Sequence, residues 1–143
     1  KLCRGSSWSP LKRIIKEEEI VDKMVQMWIE KAEYDIITAK AMLNTGRYNY
    51  VAFTLQQALE KLLKAFYVKQ YKTAPIRSHN LIYLAKKSSI KLDEDTSKLF
   101  EELSSYYVRI RYDVGFYINK EKAYSLYNES VVIFQWLKQL LMK

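Results

Sequence analysis

The chain has 143 residues, of which 24 are Lys or Arg and 16 Asp or Glu, giving a formal charge of +8 at pH 7. One domain is expected, because about 150 residues bury roughly 68–70% of the unfolded surface without metal or disulfide support. A single cysteine, Cys3, and a single histidine, His79, exclude a disulfide framework and a Cys/His zinc site within one chain, and no cofactor is expected. A reducing cytoplasm fits this cysteine usage. Three Gly and two Pro leave too little punctuation for an all-β fold, so helices are the default. Charges interrupt the apolar residues every few positions, so no stretch approaches the roughly 18 apolar residues of a membrane span. The opening KLCRGSSWSP has no apolar run behind its basic residues and does not read as a secretory signal.

In chain order, residues 1–16 form a basic arm and residues 17–143 a helical domain. Ser9 can cap a helix entered through Pro10. From Leu11 the apolar residues Ile14, Ile15, Val21, Val25, Trp28, Ala32, Ile36, Ala39 and Leu43 follow a three-and-four spacing that stops at Gly46. Glu17, Glu18 and Glu19 break the stripe, leaving one long helix or a short arm helix followed by a break. Consecutive helical residues point about 100° apart, so this triplet reads as a solvated face rather than a metal site.

A second, central helix is expected from Tyr48 to Gln70, packed against the first as an antiparallel hairpin through the short link at Gly46. The loop KTAPIRSHN follows, with Ser78 or Asn80 as the cap of a short helix from Leu81 to Lys87. Asp93, Glu94 and Asp95 crowd the start of the next helix, where negative charge meets the positive end of its dipole, and Gly115 suits its end. A last helix follows Asn119. The fold class is therefore all-α, an up-and-down four-helix bundle with one short extra helix in the second connection.

The charge is uneven. Residues 1–16 hold five basic residues and no acid, and residues 61–91 hold eight and no acid. The second block comprises Lys61, Lys64, Lys69, Lys72, Arg77, Lys86, Lys87 and Lys91. Helix C-termini account for part of it, and the remainder reads either as a solvated face or as the footprint of an anionic partner.

Glycine-rich phosphate loops, a His-Glu-x-x-His helix and a nucleophile elbow are absent from the sequence. His79, at a helix entrance beside Ser78, reads first as a capping or packing residue. The string YYVRIRYDVGFY, Tyr106 to Tyr117, is sharper. Arg109 and Arg111 diverge by about 200° on a helix, so one is expected to point inward or into a subunit interface. Asp113, four residues beyond Arg109, offers a local ion pair. That leaves Arg111 for a cleft or interface near a carboxylate or bound anion. Tyr106, Tyr107, Tyr112 and Tyr117 read as core-boundary tyrosines or as stacking faces for bases.

In this order, WIEKAEYDIITAKAML, GRYNYVAFTLQQALEKLLKAFYV, RSHNLIYL and YYVRIRYDV with a final amphipathic helix resemble a HEPN (higher eukaryotes and prokaryotes nucleotide-binding) domain from Trp28 to about Leu141. The resemblance implies a helical bundle, usually a homodimer, often acting beside a minimal nucleotidyltransferase in a toxin–antitoxin or related pair. Many such domains are metal-independent endoribonucleases carrying an Arg followed four to six residues later by a His. Here that spacing reaches Val114, Gly115 and Phe116 from Arg109 and no imidazole from Arg111. The RYD of Arg111, Tyr112 and Asp113 looks like the Arg-Tyr-Pro-Asp variant of non-nuclease members, with the proline lost. The leading expectation is a non-catalytic module binding a nucleotidyltransferase partner and nucleotide or RNA, with no membrane association. Arg109, Arg111, Tyr112, Asp113, Lys61, Lys64 and His79 are its candidate site residues. The alternatives are an atypical ribonuclease using His79 or Tyr117 as the acid–base group, and a purely structural protein-binding bundle.

Overall fold

The computed structural model describes residues 9–143. Cys3 and the other residues before Ser9 lie outside the described residues. Five helices follow in order, α1 (Pro10–Asn44), α2 (Tyr48–Tyr71), α3 (Leu81–Lys87), α4 (Glu94–Tyr112) and α5 (Lys120–Leu141). Among the described residues there is no strand, and no helix is long and apolar enough to cross a membrane.

The caps explain most of the boundaries. Ser9 Oγ accepts from the Lys12 N–H, with Pro10 in the first turn of α1. The helix runs unbroken through Glu17, Glu18 and Glu19, so residues 10–16 of the basic arm are its first turns. Gly46 ends the α1 segment with φ +75, and the Arg47 N–H reaches back to the Met42 carbonyl at 2.9 Å, a closure that needs a left-handed residue between them. Asn80, Asp93 and Asn119 cap α3, α4 and α5 through side-chain oxygens. The fourth helix stops at Tyr112, three residues short of Gly115. Its last turn is closed by the Asp113 N–H on the Arg109 carbonyl at 2.8 Å, so the glycine is not the terminator.

The central position of α2 is observed. It contacts every other helix, and Val51, Leu55, Leu59, Leu62 and Leu63 on it are fully buried. Phe100 and Leu103 of α4 and Phe134 and Leu137 of α5 complete the core. Burial of each such Leu or Phe contributes roughly 1.5–3 kcal/mol. The apolar stripe of α1 enters the core only from Val21 onward. Leu11, Ile14 and Ile15 are exposed because α1 is 35 residues long and α2 only 24, so the first turns of α1 outrun their partner.

Candidate functional site

Three polar residues at successive four-residue steps, Gln56, Glu60 and Lys64, occupy buried positions on α2. Helical spacing puts them on one face. Glu60 is the hub. One carboxylate oxygen accepts from Lys64 Nζ at 2.8 Å, and the other accepts from Gln56 Nε2 at 3.0 Å and from His79 Nδ1 at 3.0 Å. Burial alone would raise the Glu60 pKa, but the bonds from Lys64, Gln56 and His79 outweigh it and hold the carboxyl below its ordinary value. Gln56 also donates to the His79 carbonyl at 2.8 Å, which ties the backbone of the α2–α3 connection to α2. Lys64 closes the inner end of the row, its ammonium 5.8 Å from the centroid of the Trp28 ring.

The outer end is aromatic. The His79 ring, 59% exposed, packs 5.0 Å from the Tyr107 ring of α4, which in turn stacks on Phe53 at 5.1 Å with 11° between planes. Arg111 lies one turn beyond Tyr107. Its guanidinium sits 4.3 Å from the Tyr107 centroid and 5.0 Å from that of Tyr112, and its Nε donates to the Tyr107 carbonyl at 3.1 Å. That carbonyl belongs to the last turns of α4, where positive charge is favoured by the helix dipole. A continuous row therefore runs from buried Lys64 through Glu60, His79 and Tyr107 to Arg111 and Tyr112 at the surface.

Of the expected site residues, this row unites His79, Lys64, Arg111 and Tyr112. Arg109 turns away to cover the Phe116 ring at 4.1 Å and pairs with Asp113 at 3.3 Å, the local bridge anticipated by the four-residue spacing. Neither arginine points into the core. The inner side of α4 is filled by Leu103 and Tyr107, and both guanidinium groups are accommodated at the surface by stacking on aromatic faces. Among the described residues no carboxylate pairs with Arg111, so the expected acidic neighbour is replaced by the Tyr107 carbonyl.

Lys61 lies apart from the row, bonded to Asp35 of α1 at 2.6 Å. With Lys69 on the Leu141 carbonyl at 2.6 Å, three lysines of the 61–91 block are committed to contacts within the fold. The four tyrosines also separate. Tyr107 is buried, Tyr112 and Tyr117 are strongly exposed, and Tyr106 is part-buried on Glu102, where burial and the carboxylate push its phenol up to about 12.

Glu60 and Tyr107 are not among the site residues expected from the sequence. The available signal is the Gln56–Glu60–Lys64 series, three polar residues four apart among the buried apolar positions of α2. Chemically, a carboxylate bonded to Nδ1 leaves Nε2 as the imidazole's proton acceptor. A guanidinium held over a shared ring presents its remaining N–H groups to an anion.

The HEPN domain family model matches residues 25–140. Among solved structures, the chain is similar to TT1696 from Thermus thermophilus, with 20% identity and a TM-score of 0.68, covering 81% of this chain and 97% of that one. It is also similar to ST0689, described as an archaeal HEPN homologue, with 24% identity and a TM-score of 0.64, covering 82% of this chain and 98% of the other. No match was found among curated proteins. The two solved structures support the all-α bundle, and the family match spans most of the sequence: the chain belongs to the HEPN domain family.

Proposed function

We propose that this chain is a non-catalytic binding module that takes a nucleotide or an RNA strand on the face formed by Arg111, Tyr112 and His79. We further propose that it works as a homodimer beside a minimal nucleotidyltransferase. One observation carries the ligand reading. The Arg111 guanidinium lies against the rings of Tyr107 and Tyr112 and makes one backbone bond, with no carboxylate among the described residues to neutralise it. Such a group suits a phosphate, and the exposed Tyr112 ring beside it suits a base. The dimer and the nucleotidyltransferase partner rest on the family resemblance.

Fluorescence anisotropy with a labelled single-stranded RNA and with a labelled nucleotide tests the reading. Binding should appear at low salt and weaken about tenfold or more in Arg111→Ala, as expected for loss of a charge-assisted contact. Absence of binding at low salt, or an unchanged affinity in that variant, would refute it. A pull-down with the co-expressed nucleotidyltransferase tests the partner.

A second reading, a metal-independent endoribonuclease, is favoured by one specific contact. His79 and Arg111 touch the same Tyr107 ring although they lie 32 residues apart in the chain, and Glu60 orients the imidazole. In that reading Nε2 of His79 would take a proton from a ribose hydroxyl while Arg111 holds the phosphate. RNA cleavage in EDTA that disappears in both His79→Ala and Arg111→Ala would establish it over the binding module.

A further inference from the structure

A furrow of about 590 Å³ opens between α4 and α5. Both helices lie against α2 and touch each other little, and the short connection at 113–119 makes them antiparallel neighbours. Its floor is apolar. Leu99 is buried there, Ile133 is half-buried, and Val132 stands 67% exposed in the middle of α5. Trp136, one turn beyond Val132 and 40% exposed, prolongs this strip along the helix. Single apolar side chains on a surface are ordinary, whereas a contiguous set in a furrow marks a contact surface.

The charges on the walls identify the occupant. Asp95, Glu102 and Glu129 face Lys98 alone, on a chain whose net charge is +8. Glu102 is already satisfied, by Lys122 at 2.7 Å and by the Tyr106 hydroxyl. Counting from the Glu102–Lys122 pair along the antiparallel helices sets Asp95 opposite Glu129. Among the described residues neither has a cation, and Glu129 accepts only from the Ser125 hydroxyl. Asp95 suits the start of α4, but Glu129, well inside α5, has no such role. Walls of this sign repel a phosphate chain. Two antiparallel helices with an apolar floor fit a third helix laid along them, and facing carboxylates call for Lys or Arg on both edges of its apolar face.

We infer that the α4–α5 furrow docks a basic amphipathic helix of another protein, its apolar face on Leu99, Val132 and Ile133 and its cations on Asp95 and Glu129. The inference goes beyond the ligand reading above and does not depend on it. The Arg111 row lies where α4 meets α2 and the α2–α3 connection, so a helix in the furrow leaves that face open. One helix in one furrow covers less than the ~1,200 Å² of a standard stable interface, so the contact is of the weak, reversible kind. Its exposed charge pairs make it weaken with salt.

The probe is a fluorescein-labelled synthetic helix with leucines at three-and-four spacing and lysines on both edges, compared with a twin carrying glutamates in place of the lysines. In anisotropy titrations on the full chain the lysine peptide should bind between micromolar and hundreds of micromolar, and more weakly as salt rises. Val132→Asp should weaken it about tenfold or more. Asp95→Asn with Glu129→Lys should reverse the order of the two peptides, and Arg111→Ala should leave the affinity unchanged. Carbodiimide coupling read by mass spectrometry should join peptide lysines to Asp95 and Glu129. These positions are exposed, and unchanged helical circular dichroism and melting establish that each variant is folded. No binding by hundreds of micromolar, a glutamate twin that binds the parent as tightly, or indifference to Val132→Asp overturns the inference. Loss of binding in Arg111→Ala would place the peptide on the ligand face and overturn it equally. So would self-association of the parent in sedimentation velocity that Val132→Asp abolishes, since a second copy would then fill the furrow.

Discussion

Replacing Glu60 by alanine tests how much of the candidate site is also structure. The side chain is 6% exposed and its carboxylate accepts from three donors, one of them the Lys64 ammonium, itself only 11% exposed. Removing the acid leaves a nearly buried cation with no counter-ion and a Gln56 amide short of one acceptor. Breaking a buried pair from one side costs about 3–5 kcal/mol. At the usual unfolding entropy per residue, a domain of this size loses about 3–4 °C of melting temperature per kcal/mol, so the expected fall is about 10–18 °C.

The double variant Glu60→Leu with Lys64→Met removes both charges and keeps the volume. It should recover most of the loss, because a buried pair often does little better than a well-packed apolar one. Thermal and urea unfolding followed by circular dichroism measure both variants. A Glu60→Ala loss below about 1 kcal/mol, or a double variant no better than the single, would refute the reasoning that the carboxylate is held by burial and pairing.

The same carboxylate sets part of the acid sensitivity. Its folded-state pKa lies below the ordinary 4.5, so its contribution is complete above that pH and is lost as pH falls through the folded-state value. The urea midpoint of the parent should therefore drop more steeply below that pH than that of Glu60→Gln. Elsewhere, Asn49 clamps the α4–α5 connection by donating to the Phe116 carbonyl at 3.0 Å and accepting from the Ile118 N–H at 2.8 Å. Asn49→Ala should cost about 1–3 kcal/mol and raise amide exchange through residues 113–119, measured by mass spectrometry.

Features encoded within one turn are legible in the sequence, and features made by chain crossings are not. The Ser9 cap with Pro10, the stop at Gly46 and the Asn119 cap each depend on neighbours within a few residues, and each can be read there. The Arg109–Asp113 pair follows from helical spacing alone. The exposure of Leu11, Ile14 and Ile15 depends on where α2 ends, which the periodicity of α1 does not contain. The site is the extreme case. His79 reaches Glu60 and Tyr107 only because α2, the α2–α3 connection and α4 cross at one place. A charge tally by segment likewise does not separate Lys61, Lys64 and Lys69, whose ammonium groups are bonded within the fold, from the cations that face solvent.

That separation changes what a polyanion would meet. If the whole 61–91 block contacted RNA, eight neutralised phosphates would give a slope of log affinity on log salt of about −6, at roughly −0.7 per contact on a single strand. The geometry argues for far fewer contacts. Three of the lysines are already bonded, and the guanidinium groups on α4 are held on aromatic planes at defined positions. Recognition through Arg111, with or without Arg109, predicts a slope of about −0.7 to −1.4. Arg111→Ala should make it shallower by about 0.7, while Lys61→Ala should leave it unchanged. Anisotropy titrations over a range of salt concentrations measure this directly. A slope near −6 would mean that RNA binds the lysine surface and that the tyrosine-stacked arginine is incidental.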